Sequence, residues 1–282
     1  MDDAVATDAG HAAAGVAPVG GSQHRRTFAG RRSVCLGDAT GTGRARIDAL
    51  ARYLQDVATD DAADAGFPDG WIVRRLALRI DAFPRFRETV DLVTWCSGIG
   101  ASAAERHTVL TAGDRRLATA VALWVFVGPD GRPARIDRDR FAAFGIPVDR
   151  GIVTRLRHPD PPAPGAPGAR SAPWPLRAAD VDVLGHVNNA VSAAAVEEAL
   201  AAERLGERPA PWSLELEFRA PMAPDDTPEL TWIWSPDGPA GSDGTGGAGT
   251  LVGGLRCGGS VRTTFAGSVP GVPGPTNLES HF

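Results

Sequence analysis

Two stretches of the chain carry the apolar spacing of a buried helix. In 46–64, Ile47, Leu50, Leu54 and Val57 recur every three or four residues, which places them on one helical face. The second stretch, 187–205, is rich in alanine, whose small side chain lets a helix approach a sheet closely. We expect both helices to be buried.

Short apolar runs typical of β-strands surround each predicted helix, one before it and four after it. One helix followed by consecutive strands predicts the α+β class, with an antiparallel sheet wrapped around a long central helix. Because the order occurs twice, it indicates an internal duplication. The predicted strands cover 28–36, 71–82, 88–97, 104–112 and 116–127 in the first half, and 172–177, 212–219, 229–235, 250–257 and 260–266 in the second.

Segments rich in proline, glycine and alanine mark the expected boundaries. The ends, 1–26 and 268–282, show no periodicity and are predicted to be disordered. A Pro/Gly-rich stretch, 156–175, predicts a stiff, extended linker between domains at 27–155 and 176–267. The low-complexity run 235–249 is predicted to be a long, mobile hairpin loop.

Composition excludes several classes of protein. With 282 residues and 43% hydrophobic content, the chain is long and apolar enough to fold. Its net charge of −5 argues against a nucleic-acid partner, and no apolar run is long enough to predict a membrane span. Three scattered cysteines and an acidic N-terminus without signal-peptide features favour a cytoplasmic location. No metal-ligand spacing or nucleotide-binding motif is present, so we expect no cofactor.

One segment before the second helix concentrates polar chemistry. Asp182, His186, Asn188 and Asn189 lie within a few residues of the predicted helix start. Helix capping alone accounts for such residues, because their side chains satisfy unpaired backbone N–H groups. A hydrolytic site is the alternative: the helix N-terminus would bind a carbonyl oxygen, Asp182 would act as base or nucleophile, and His186 would orient a water or the acyl group.

The sequence GHVNN at 185–189, with Asp182 four residues before the histidine, resembles the active-site signature of hotdog-fold thioesterases. The whole chain resembles the plant-type and bacterial acyl-acyl-carrier-protein (ACP) thioesterases over about 28–264. Further segments of resemblance are 28–60, 70–75, 83–90, 94–98 with Arg106, and 216–219.

The resemblance implies two tandem hotdog domains that hydrolyse fatty acyl-ACP to free fatty acid and ACP in fatty acid biosynthesis. The second domain would hold the catalytic residues Asp182 and His186, and the first would shape the tunnel for the acyl chain. ACP and a fatty acyl thioester are the implied partners, and no metal or organic cofactor is implied. Edge strands would also allow a homodimer, so monomer and dimer stay open.

The chain departs from the family pattern next to the implied site. Leu184 stands where the family has asparagine, and Leu cannot donate or accept a hydrogen bond. Pro221 stands where the family has glutamate, and Met222 where plant members have cysteine. Glu215 or Glu217 would be replacement carboxylates, although alternating glutamates on a strand are more typical of a solvated face.

These departures leave two alternatives to an acyl-ACP hydrolase. The first is a catalytically degenerate double-hotdog protein that binds acyl chains or acyl-ACP without hydrolysis. A hotdog hydratase is the weaker one, because the spacing of Asp182 and His186 differs from that class. We expect Asn188 and Asn189 to hold the turn at the helix start and to contact the substrate there. The resemblance further implies that Arg74 contacts the carrier, and we expect Trp71 and Trp95 to line the apolar tunnel.

Overall fold

Ten strands form one antiparallel sheet in the computed structural model of the protein, which describes residues 25–148, 151–183, 185–207, 209–236 and 248–270. The helices are α1 (Ile47–Asp64), α2 (Arg138–Ala143) and α3 (Ala190–Ala202). The strands are β1 (Phe28–Ser33), β2 (Trp71–Ile80), β3 (Thr89–Ile99), β4 (Ala103–Ala112), β5 (Arg115–Phe126), β6 (Arg170–Pro173), β7 (Trp212–Phe218), β8 (Glu229–Ser235), β9 (Gly249–Cys257) and β10 (Ser260–Val269).

The strand order shows that the two halves are arranged alike. It runs β1-β3-β4-β5-β2-β7-β10-β9-β8-β6, so each half contributes five strands in the same internal order. The halves meet where β2 pairs with β7, with Leu76 opposite Leu216 and Leu78 opposite Leu214. An approximate twofold axis therefore passes between these two central strands.

Both long helices lie on one face of this sheet and contact each other. The apolar face that the sequence predicts for α1 is buried there, with Leu50 and Val57 fully enclosed. Alternation along β7 sends Leu214, Leu216 and Phe218 into the same core. The predicted α+β class with an antiparallel sheet is thus confirmed.

Several predicted boundaries differ from the structure. The second helix is shorter than 187–205, because the residues before Ala190 form a turn. Strand β6 falls at Arg170–Pro173, where it pairs with β8; it begins and ends earlier than the predicted strand 172–177 and lies within the predicted linker 156–175. Helix α2 was not predicted, and β10 continues beyond the predicted end of the second domain.

Some sequence predictions concern residues that the structure does not describe. Of the ends predicted to be disordered, residues 1–24 and 271–282 lie outside the described residues. Of the predicted hairpin loop, residues 237–247 lie outside them. Within the described ranges, no helix has both the length and the apolar character needed to cross a membrane.

The segment 153–161, which contains the start of the linker, lies against the sheet face opposite the two helices. Side chains of three strands hold its backbone at successive points, which makes it a bound segment rather than a free spacer. These contacts join Arg75 of β2 to the carbonyls of Val153 and Arg155, Glu217 of β7 to the N–H groups of Arg157 and His158, and Arg256 of β9 to the carbonyl of Pro161.

The duplication extends to a turn before each long helix. We call 38–46 the first turn and 180–188 the second turn. In each, the opening aspartate accepts a hydrogen bond from the backbone N–H three residues earlier, at 3.1 Å for Asp38 and 2.8 Å for Asp180. A short antiparallel bridge then closes each turn, so the two helices begin in the same local structure.

Candidate active site

The second turn presents Asp182 and His186 at the start of α3. The backbone N–H of Asp182 donates to the carbonyl of His186 at 2.9 Å, and the N–H of Gly185 donates to the carbonyl of Asp182 at 3.0 Å. Gly185 has a φ of 77°, a conformation that glycine adopts without steric cost. This backbone geometry holds the two candidate catalytic residues on one tight loop.

The tip of this loop is open to solvent. His186 is exposed, Asp182 is half-buried, and the Val183 side chain is 100% exposed. The carboxylate of Asp182 also accepts a hydrogen bond from the N–H of His186 at 3.4 Å. Leu184, the predicted departure from the family pattern, lies outside the described residues. A water molecule can therefore reach the Asp182 carboxylate from outside.

The two asparagines at the helix start have different surroundings. The Asn188 side-chain oxygen accepts a hydrogen bond from the N–H of Ala190 at 2.8 Å, which satisfies one unpaired donor of α3. Asn189 lies at the wall of a cavity instead. The Asn188 side chain thus caps the start of α3.

This cavity lies between α1, the sheet of the first half and the start of α3. Most of its wall is apolar, and its volume of about 20 Å³ is room for about one water molecule. Its position links the interior of the first half to the second turn. The lining residues are Ala51, Leu54 and Gln55 of α1, Val73 and Leu76 of β2, Arg106 and Thr108 of β4, Ala120, Ala122 and Trp124 of β5, Asn189, Ala190 and Ala193 around the start of α3, and Phe218 of β7.

The tryptophan in the cavity wall is Trp124, rather than either of the two that the sequence suggested. Trp71 packs against Phe126 in a separate apolar cluster, with ring centroids 5.3 Å apart. Trp95 stacks on His107 with a centroid distance of 5.6 Å. Strand alternation explains the Trp95 position, because its neighbour Thr94 occupies the helix-facing side of β3.

Glu215 and Glu217 point away from the cavity, to the sheet face that carries the linker. Glu217 is 0% exposed and accepts hydrogen bonds from two linker N–H groups, so the solvated position typical of such glutamates does not apply to it. His158 Nε2 lies 3.1 Å from the Glu215 carboxylate, and this hydrogen bond lowers the Glu215 pKa. In the described part of the chain, His158, Glu215 and Glu217 are the residues grouped closely enough to hold a metal ion, and their polar atoms already bind one another, the linker backbone and Thr264.

Three more residues from the sequence interpretation, Pro221, Met222 and Arg74, lie near the second turn or near the end of β7. The carbonyl of buried Met222 accepts a hydrogen bond from the N–H of Val187 at 3.3 Å, so Pro221 and Met222 border the turn that carries His186. Arg74 is half-buried on β2, and its guanidinium donates to the carbonyl of Arg219 at 2.9 Å. Burial lowers the pKa of Arg74.

The antiparallel sheet with two long helices on one face is the hotdog-type fold of solved structures to which this chain is similar. Its fold matches that of a 12:0-ACP thioesterase from Umbellularia californica with a TM-score of 0.66, at 19% identity, over 86% of this chain and 93% of the other. An acyl-ACP thioesterase from Bacteroides thetaiotaomicron gives a TM-score of 0.60 at 17% identity, over 86% of this chain and 97% of the other.

Family comparison then identifies the group to which the sequence belongs. Residues 25–144 match the model of the acyl-ACP thioesterase N-terminal domain, and residues 168–238 match the model of the C-terminal domain. The chain belongs to the acyl-ACP thioesterase family. An uncharacterized protein of Mycobacterium tuberculosis is 28% identical over 63% of this chain and 70% of its own length. The chloroplastic oleoyl-acyl carrier protein thioesterase 2 of Arabidopsis thaliana is 26% identical over 51% of this chain and 46% of its own length.

The buried position of Glu217 predicts a structural role for its carboxylate. In Glu217→Gln, the amide NH₂ faces one of the two linker N–H donors, so one buried donor loses its acceptor. We expect the free energy of unfolding to fall by about 1.5–3 kcal/mol, measured by urea denaturation. Glu215→Gln is the matched control, because Glu215 is more exposed and a smaller loss is expected. An unchanged stability of Glu217→Gln combined with lost hydrolysis would instead assign Glu217 to catalysis.

Proposed function

We propose that the protein hydrolyses the thioester bond of fatty acyl-ACP, releasing a free fatty acid and ACP in the cytoplasm. The observation that carries this proposal is the position of the apolar cavity, whose wall includes Asn189 and Ala190 directly after the Asp182–His186 turn. Membership of the acyl-ACP thioesterase family supports the same reaction. We further propose that each half of the chain is one hotdog unit and that the second unit provides the catalytic residues.

The reaction requires a base, an activated water and a site for the thioester carbonyl. The Asp182 carboxylate takes a proton from water as the water oxygen attacks the carbonyl carbon. The backbone N–H of Asn189, for which no acceptor is recorded among the described residues, stabilises the negative charge that develops on the carbonyl oxygen, and His186 orients the water. The C–S bond then breaks, and the proton passes to the leaving thiolate of the carrier.

The acyl chain would enter the first half along the apolar cavity. A wall of Val73, Leu76 and Ala122 suits a hydrocarbon chain, because burying methylene groups there removes them from water. At about 20 Å³ the cavity is too small for a fatty acyl chain. Substrate binding therefore has to displace wall side chains, with Trp124 and Phe218 the largest of those present.

The Asp182 assignment is tested by Asp182→Asn, which keeps the side-chain shape and removes the base. We expect kcat for thiol release from acyl-ACP to fall about 100-fold or more, with KM nearly unchanged. Asp225→Asn is the matched control, since this exposed carboxylate lies on a loop of the same half, and it should retain the wild-type kcat.

Two results would contradict this account in different ways. Full hydrolysis by Asp182→Asn would place the active site elsewhere. Retained binding of acyl-ACP by a wild-type chain that releases no thiol would instead favour the binding protein without hydrolysis.

Arg74 is proposed as a contact for ACP, which is acidic. Arg74→Gln is expected to raise the KM for acyl-ACP by up to about fivefold, in line with the modest energy of a partly exposed ion pair. The KM for an acyl-pantetheine thioester without the carrier should not change. Arg79→Gln, an exposed arginine on the same strand, is the control. Equal effects on both substrates would show that Arg74 does not act through the carrier.

A further inference from the structure

The first turn has a residue arrangement that closes the space at the start of α1. Arg44 is buried and forms an ion pair with Glu197 of α3. The Glu197 carboxylate also accepts a hydrogen bond from the N–H of Ile47, the first residue of α1, at 3.0 Å. The guanidinium of Arg44 packs over the rings of Phe83 and Trp212, at 4.7 and 5.5 Å from their centroids. One helix therefore reaches across to complete the N-terminus of the other.

The second turn has different residues at the positions that match this closed arrangement. In the first turn, the N–H of Thr40 donates to the carbonyl of Arg44, and in the second turn the N–H of Asp182 donates to the carbonyl of His186. These equivalent hydrogen bonds match Arg44 with His186. The same offset matches Ile47 with Asn189. Gln55 then lies as far along its helix from Ile47 as Glu197 lies from Asn189. The sequence thus places Gln55 of α1 where it faces the start of α3.

The cavity shows that this second place is open. Its wall contains both Gln55 and Asn189, which is the pair that the matching predicts. Of the other polar side chains in the wall, Arg106 binds the Asp61 carboxylate at 2.6 Å and the Thr108 hydroxyl bonds to Thr94 at 2.9 Å, whereas the buried indole N–H of Trp124 has no hydrogen-bond partner among the described residues. The Gln55 side-chain amide has no recorded hydrogen bond to any described residue. The backbone carbonyl of Gln55 accepts a hydrogen bond from the Thr59 hydroxyl.

We propose that the Gln55 side-chain N–H donates a hydrogen bond to the carbonyl oxygen of the bound thioester. This inference rests on the proposed hydrolysis at the second turn. It makes the active site a product of both halves, since α1 supplies a donor beside the backbone N–H of Asn189 at the start of α3. A preorganised amide donor lowers the energy of the developing oxyanion, and removal of one such donor typically reduces kcat by about 10²–10³-fold.

Gln55 has one competing role, in which its oxygen only caps the N–H of Asn189, as Glu197 does for Ile47. Two variants separate the roles. Gln55→Leu removes both the donor and the acceptor, whereas Gln55→Glu keeps an acceptor for the helix N–H and, when ionised, has no donor. Capping alone would thus be preserved in Gln55→Glu, while carbonyl binding would be lost.

The experiment measures kcat and KM for thiol release from acyl-ACP at neutral pH, together with thermal unfolding. Asp56→Asn is the control, because Asp56 is the exposed neighbour on the same helix. We expect about 100-fold lower kcat in both Gln55→Leu and Gln55→Glu, with KM within about threefold and wild-type kcat in Asp56→Asn. The unfolding temperature of Gln55→Glu should stay close to that of the wild type.

Contrary outcomes separate this inference from the proposed function. Wild-type kcat in Gln55→Glu would reduce Gln55 to a helix cap, and wild-type kcat in Gln55→Leu would remove it from the site altogether. In both cases the proposed hydrolysis at Asp182 would stand. A wild-type chain that releases no thiol would overturn the hydrolysis and the Gln55 assignment together.

Discussion

Antiparallel hydrogen bonds between β2 and β7 join the two halves into one sheet, from Arg75 opposite Glu217 to Ile80 opposite Trp212. Because the strands pair about an approximate twofold axis, α1 and α3 come to lie side by side on the same face. Each helix start is then within reach of the other helix. A wrong register here would flip the buried side chains of β7 to the outer face and separate the cavity from the second turn.

The twofold arrangement of the backbone is combined with two different sets of side chains. At the first turn, a buried ion pair and two aromatic rings fill the space. A buried ion pair is stable only when its remaining hydrogen bonds are satisfied. The backbone carbonyls of Gly206 and Ala45 satisfy those of Arg44. At the second turn, small and apolar residues leave a cavity. One of the two equivalent places is thus filled by side chains, and the other is the cavity that we propose as the substrate site.

Periodicity in the sequence was sufficient for the two long helices and for the strands, because each depends on local spacing. It was not sufficient for contacts set by pairing between distant segments. The burial of Glu217 depends on a linker that crosses it, and a strand pattern alone indicates only which face a residue occupies. For the same reason, periodicity did not distinguish Trp124, which lines the cavity, from Trp95 on the outer face.

Asp182 and His186 could be proposed from the sequence because they lie only four positions apart, whereas the sequence alone did not suggest Gln55. The available signal was the alignment of the two halves, which sets Gln55 against Glu197 and His186 against Arg44. Such an alignment becomes interpretable only when the shared turn hydrogen bonds fix its register.

Photo-crosslinking of a bound acyl chain tests the central claim, that only the second place receives substrate. The probe is ACP carrying a diazirine-labelled fatty chain on a non-hydrolysable thioether, and the labelled peptides are identified by mass spectrometry. The account predicts labels on cavity residues of β2, β4 and β5, such as Val73, Thr108 and Ala122. Labels around Arg44 and Trp212, or in the shallow groove of the outer face near Val121 and Val252, would contradict it.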